Sequence, residues 1–216
     1  MKNETTAERR VTLEREGTAE LEEKKSVFIG RAKPITEEVA ALAYIKEMKT
    51  KYADARHNVW AYRLYGDAVM RCSDDGEPQG SAGVPVLDAL RKSGVSDAVI
   101  VVTRYFGGVL LGAGGLVRAY SKAAKLAINE AHIITREKCA VWSVTCSYSD
   151  YRRFLAELPK FGAIAGETMF SESVTFAFTV RADVEEKLLS RVREMSGGNV
   201  IPRKIGEKFE VVSENH

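Results

Sequence analysis

The chain is poor in the residues that most often announce a chemistry. Its histidines number three in 216 residues, His57, His132 and His216, too few and too scattered for a multi-histidine metal centre. Cysteines also number three, Cys72, Cys139 and Cys146, with no C-x-x-C spacing. Neither a disulfide framework nor a zinc knuckle is suggested, and a reducing cytoplasm is the simplest compartment. No apolar run approaches the ~20 residues needed to cross a bilayer, and the N-terminus is charged where a signal peptide needs an apolar stretch, so a soluble cytoplasmic protein with no membrane partner is expected. An excess of one charge is missing too. Lys and Arg number 32 against 30 Asp and Glu, which is far from the basic excess of a dedicated nucleic-acid wrapper and leaves polyanion contact to a local patch. The glycines match neither G-x-G-x-x-G in an early βαβ unit nor G-x-x-x-x-G-K-[ST]. Ser81 sits in G-S-A-G rather than in a G-x-S-x-G elbow, and Ser121 lies inside a helix. No nucleotide cofactor and no catalytic nucleophile is assigned.

What is present is an apolar fraction of 45%, enough for one large core or two small ones. Val11 to Thr18 predicts an edge strand. Val27 to Ala32 reads as a strand, and Pro34 to Thr36 leads into a helix over Glu37 to Lys49 whose inward stripe is Val39, Leu42, Ala43, Ile45, Lys46 and Met48. His57 to Tyr65 suits a strand covered on both sides, paired with Val69 to Cys72 across a hairpin at Gly66-Asp67. Val84 to Leu90 reads as a short helix ended by Gly94. Ala98 to Thr103 has the continuous apolar character of a central strand. Leu116 to Ile128 follows as a helix that packs Leu116, Ala119, Tyr120, Ala123, Ala124 and Ala127 inward. This order predicts an α+β layer with one helical face. From about residue 137 the pattern becomes β-α-β-β-α-β, the split βαβ arrangement of a ferredoxin-like fold, with a helix over Asp150 to Leu158 capped near Ser149. The expected domains are therefore 1–136 and 137–216.

Unusual residues concentrate between Ser73 and Lys125. Asp74, Asp75 and Glu77 lie in a loop that glycines and Pro78 keep irregular. They could hold Mg²⁺ through waters, cap the helix after Gly83, or receive Arg104. Arg104 ends the central strand, where loops converge on ligands, and can hold an anion or lock Asp74 or Asp75. Arg56 and His57 open the neighbouring strand, so His57 can meet the acidic loop or serve as an ordinary hydrogen-bonded residue. Gly107, Gly108, Gly112, Gly114 and Gly115 precede a helix whose free N–H groups suit an anion, although glycines equally permit tight turns and close packing. Arg118, Lys122 and Lys125, at i, i+4 and i+7, form a basic stripe suited to RNA phosphates or an acidic partner, or a plain solvated face.

The motifs Ala55-Arg56-His57, Ser73-Asp-Asp-Gly-Glu-Pro-Gln-Gly-Ser-Ala-Gly-Val-Pro and Thr103-Arg-Tyr-Phe-Gly-Gly-Val-Leu-Leu-Gly-Ala-Gly-Gly-Leu-Val-Arg-Ala-Tyr, with upstream Lys25-Ser26-x-Phe28, resemble the IMPACT family of the bacterial YigZ/YvyE type. Asn58 and Ser81 stand where that pattern commonly has other residues. The resemblance implies a first domain like domain 2 of ribosomal protein S5 and a second like the ferredoxin-like C-terminal domains of elongation factor G. It also implies a link to translation. The expected function is then binding of RNA, the ribosome or a translation-associated protein through the groove at Arg56, His57, Asp74, Asp75, Glu77, Arg104 and the glycines. The alternative is a ligand-binding protein or enzyme acting on a phosphate-bearing small molecule, with or without Mg²⁺.

Overall fold

A computed structural model describes residues 8–65 and 69–211. The hairpin turn expected at Gly66-Asp67 and the terminal His216 lie outside the described residues. The chain divides into two compact units, one of Arg10–Thr135 and one from Arg136 onward that also takes Glu8 and Arg9.

In the first unit five strands form one sheet: β2 (Gly17–Glu23), β3 (Ser26–Pro34), β6 (Ala98–Tyr105), β4 (His57–Arg63) and β5 (Met70–Ser73), in that spatial order. β6 is central, antiparallel to β3 on one side and to β4 on the other. The expected edge strand falls differently from the sequence pattern. β1 (Arg9–Leu13) stops at Leu13, and the edge is β2. Gly17 opens β2 because its Cα lies against the backbone of Ala131, where a Cβ would come within 2.2 Å of the amide nitrogen.

Helices cover both faces of this sheet, not one. Between β3 and β4 runs α1 (Glu38–Lys51), packed on Tyr62, Val99 and Val101. The opposite face, with Phe28, Ala32, Val59, Ala61, Ile100 and Val102, is covered by α2 (Gly83–Ser93) and α3 (Ala113–Glu130). The uninterrupted apolar run in β6 requires this, since alternate side chains point to opposite faces and all of them from Ala98 to Val102 are buried. The inward stripe of α1 also differs from the expected one. Ala41, Tyr44, Ile45 and Met48 are buried, whereas Val39 is 73% and Leu42 49% exposed and Ala43 and Lys46 are exposed. Tyr44 can face inward because its hydroxyl donates to Glu16 at 2.7 Å. The small residues of α3 allow close docking: Gly30 of β3 faces the Ala123 carbonyl at a separation that a Cβ would close to 2.5 Å.

The second unit contains β7 (Ile133–Cys146), α4 (Tyr148–Glu157), β8 (Ile164–Phe170), β9 (Val174–Arg181), α5 (Glu185–Met195) and β10 (Arg203–Val211). The strand order β10-β7-β9-β8, antiparallel throughout, is that of the split βαβ fold. Its own core gathers Val144, Phe154, Phe176, Phe178, Leu188 and Val192. The cap of α4 is Ser147, whose hydroxyl accepts from the Asp150 N–H at 3.1 Å, and not Ser149. Gly197 and Gly198, both at positive φ, end α5 through bonds to the Glu194 and Arg193 carbonyls.

Candidate functional site

The register of the first sheet creates the site. Arg104 on β6 pairs laterally with His57 on β4 and with Phe28 on β3, so the three side chains stand in one row on the face that meets α3. The Arg104 guanidinium is nearly sealed, with 7% of its side chain exposed. It donates to the Glu77 carboxylate at 2.6 Å, and Glu77 is itself 4% exposed. Tyr120 of α3 donates its hydroxyl to the same Glu77 oxygen at 2.8 Å, while the ring packs edge-on to Phe28 at 5.1 Å. Burial and the Glu77 charge hold the Tyr120 phenol well above the usual tyrosine range, so it acts as a fixed donor. Ser26 Oγ accepts from Arg104 Nη2 and from the Gly107 N–H. One buried carboxylate thus ties the acidic loop to β6, and α3 is tied in through Tyr120.

The three loop acids do not converge on a shared point. Asp74 accepts from the N–H groups of Gly80, Ala82 and Gly83, which makes it the cap of α2 in place of a side chain at Ala82. Partial burial opposes its ionisation, but these three donors outweigh that and hold its carboxyl below the ordinary value. Asp75 receives Lys49 Nζ at 2.5 Å and the Asn58 N–H at 2.7 Å. Arg104 therefore locks Glu77, not Asp74 or Asp75. No group of three His, Cys, Asp or Glu placed to hold a metal ion occurs among the described residues.

His57 is held by its Nδ1, 2.8 Å from the Asp75 main-chain oxygen. A carbonyl can only accept, so Nδ1 carries the proton and Nε2 is turned toward Glu77 at 3.9 Å. In front of this cluster lies a cavity of about 390 Å³ lined by Arg56, His57, Glu77, Arg104, Phe106, Leu110, Leu111 and the start of α3, its N-cap position Gly112 and first residue Ala113. The positive end of α3 is uncapped: Gly112, at φ 73, contributes no side chain, and the first turn holds no acid. Arg56 has no ion-pair partner among the described residues, and the Arg104 Nε is buried without an acceptor.

The glycines divide by role. Gly107 is a packing glycine, since a Cβ there would sit 2.0 Å from the Lys25 carbonyl. Gly108 and Gly114 face open space and do not line the cavity, and Gly112 alone of the five does. Gly115 borders a smaller hollow of about 130 Å³ with Lys24, Leu111 and Arg118. Arg118, Lys122 and Lys125 are exposed on the solvent side of α3 without ion-pair partners among the described residues. Tyr120, Ser26 and Phe106 join the site beyond the residues expected from sequence. Ser26 carries a signal in the Lys-Ser-x-Phe motif, whereas Tyr120 reads like any inward helix residue. Asn58 joins a second buried network on the opposite face, in which Arg31 donates to Thr103, Thr103 to Asn58, and Asn58 to the Tyr52 carbonyl. The second unit has a larger hollow, about 690 Å³, but Lys160 and Arg181 at its wall are paired with Glu157 and Asp183.

Fold and site together define a two-domain α+β protein whose first domain carries a partly basic, apolar-walled cleft at a helix N-terminus. Residues 24–128 match the Impact N-terminal domain, and 144–199 match a domain of unknown function, DUF1949. The chain is 33% identical to IMPACT family member YvyE of Bacillus subtilis over 188 residues, 87% of each chain. It is 37% identical to IMPACT family member YigZ of Escherichia coli over 128 residues, 58% of this chain and 63% of that one. A solved structure described as that of a hypothetical protein covers 92% of this chain and 98% of its own at 28% identity and a TM-score of 0.59. The chain belongs to the IMPACT family.

Proposed function

We propose that this protein is an RNA-binding factor linked to translation, acting through the exposed side and N-terminal end of α3. The observation that carries the reading is that Arg118, Lys122 and Lys125 lie on one solvent face of α3 with no carboxylate paired to them among the described residues. Some exposed cations elsewhere in the chain are paired, as Arg71, Arg153 and Lys204 are, and others such as Lys46, Lys92 and Lys187 have no ion-pair partner among the described residues. What sets these three of α3 apart is that they share one helix face at i, i+4 and i+7. Unpaired cations at helical spacing are free to replace counterions on a phosphate backbone. Family membership supports the link to translation, which the motif resemblance implies. No helix of the described residues is long and apolar enough to cross a membrane.

The test is binding of a single-stranded RNA across a salt series. Three phosphate contacts predict a log–log salt slope of roughly −2, and a triple change of Arg118, Lys122 and Lys125 to Gln should remove most of it. Absence of binding at low salt refutes the reading. A ribosome association insensitive to salt would point to a protein partner instead.

A further inference from the structure

Resting on that reading, we infer that the 390 Å³ cavity is an end-recognition site for a nucleoside phosphate monoester, with the rest of an RNA strand leaving along α3. The anion contacts come from three independent groups. Arg56 stands on the wall unpaired, the Arg104 Nε is buried and lacks an acceptor, and the uncapped start of α3 presents free N–H groups at Gly112 and Ala113. Any one of these would be an incidental feature. Their meeting in one cavity gives a site with more positive than negative character, because the one carboxylate present, Glu77, is already engaged by Arg104 and Tyr120.

The remaining wall suits a base. Phe106 is 42% exposed although it lines a cavity, and Leu110 beside it is 81% exposed. An aromatic ring and aliphatic side chains left open to water next to anion donors fit a ligand that is apolar at one end and charged at the other. The volume suits one nucleotide and not a run of them.

Two observations favour a strand end over an internal stretch. The inner wall of the cavity holds Glu77 and Arg104, which are buried and bonded to each other, with Tyr120 bonded to Glu77, so a strand has no path inward past them. The exit carries two cations against one acid: Leu111 lines both this cavity and the adjoining hollow, whose wall holds Lys24, Arg118 and Glu23, and Arg118 begins the stripe continued by Lys122 and Lys125. From Ala113 to Lys125 the helix covers about 18 Å, room for a few nucleotides beyond the terminal one.

The full-length protein is to be titrated with one RNA of about ten nucleotides carrying a 5′-phosphate, a 3′-phosphate or hydroxyls at both ends, and separately with free nucleoside monophosphates by calorimetry. At least about ten-fold tighter binding of one phosphorylated end than of the hydroxyl form is expected, since the phosphate adds a charge-assisted hydrogen bond that the hydroxyl cannot make. Arg56→Ala and Phe106→Ala, both exposed enough to spare the fold as checked by thermal melting, should bring the ratio toward one. The Arg118, Lys122 and Lys125 triple change should weaken all three RNAs while preserving the ratio. Equal affinity for all three ends with no mononucleotide binding overturns this inference and leaves the stripe reading intact. Mononucleotide binding without RNA binding overturns the strand-end inference together with the stripe reading. Binding of neither overturns both.

Discussion

Removal of one member of the Glu77–Arg104 pair should destabilise the first unit far more than removal of both. The pair is 2.6 Å apart, with side chains 4% and 7% exposed, so either partner left alone is a charge held away from water. Breaking such a pair typically costs about 3–5 kcal/mol, whereas replacing both members by groups of similar size is near neutral. Arg104→Met leaves Glu77 with the Tyr120 hydroxyl and no cation within bonding distance, and belongs at the upper end of that range. Glu77→Gln keeps an oxygen that can accept from Arg104 and Tyr120, and belongs at the lower end. For a unit of this size each kcal/mol moves the midpoint by roughly 3–5 °C, so the single changes predict losses of roughly 10–20 °C. The double change Glu77→Gln with Arg104→Met should recover most of this, giving a coupling energy of about 2–4 kcal/mol. Urea unfolding followed by circular dichroism on the four proteins closes the cycle. A coupling energy indistinguishable from zero, or single changes that each shift the midpoint by less than about 3 °C, would refute the idea that this pair ties the acidic loop to the sheet.

Gly107→Ala drives a Cβ to 2.0 Å from the backbone of Lys25, where nothing flexible can yield. A loss of about 3 kcal/mol or more is expected in chemical denaturation, while Gly114→Ala, with open space around it, should be neutral or slightly stabilising. Tyr120→Phe keeps the ring against Phe28 but removes a donor to buried Glu77, predicting a loss of about 1–2 kcal/mol by urea titration. Asp74 has its carboxyl held below the ordinary aspartate value of 3.8 by backbone donors that outweigh burial. Its contribution is complete above pH 3.8 and is lost as pH falls through the lower folded-state value, so Asp74→Asn should flatten that acid limb of the stability profile and leave its shape near neutrality unchanged.

The central strand, the helices and the β-α-β-β-α-β order of the second unit were legible because each depends on a local period. The face assignment of α1 was not. Val39 and Leu42 outrank Ala41 and Tyr44 in hydropathy, and the pattern is reversed by packing space beneath the helix and by Glu16, distant in sequence, which supplies an acceptor for Tyr44. A second helical layer was implied by β6 itself, since a strand buried on both sides needs a cover for each. The acidic loop was similarly half legible. Its irregular path and its acids were plain from sequence, but which acid met Arg104 depended on a loop geometry with Asp75 at φ 46 and Gly76 at φ 87. That geometry sends Glu77 inward and leaves Asp74 to cap a helix.

The glycine run shows why the site was harder to read than the fold. Adjacent glycines look alike in sequence, yet Gly107 is required by contact with Lys25, and Gly112 by a positive φ at the start of a helix. The two requirements are coupled. Close packing of Gly107 fixes where the chain leaves β6, and the left-handed step at Gly112 turns it into α3, whose uncapped start lines the same cavity as Arg104. Arg104 sits at the end of β6, so the segment between them must loop outward, and its members Val109 and Leu110 are 43% and 81% exposed. The exposed apolar rim is thus a consequence of placing a helix N-terminus opposite a strand C-terminus, and a cleft with a charged floor and an apolar lip follows from those two glycines and one arginine.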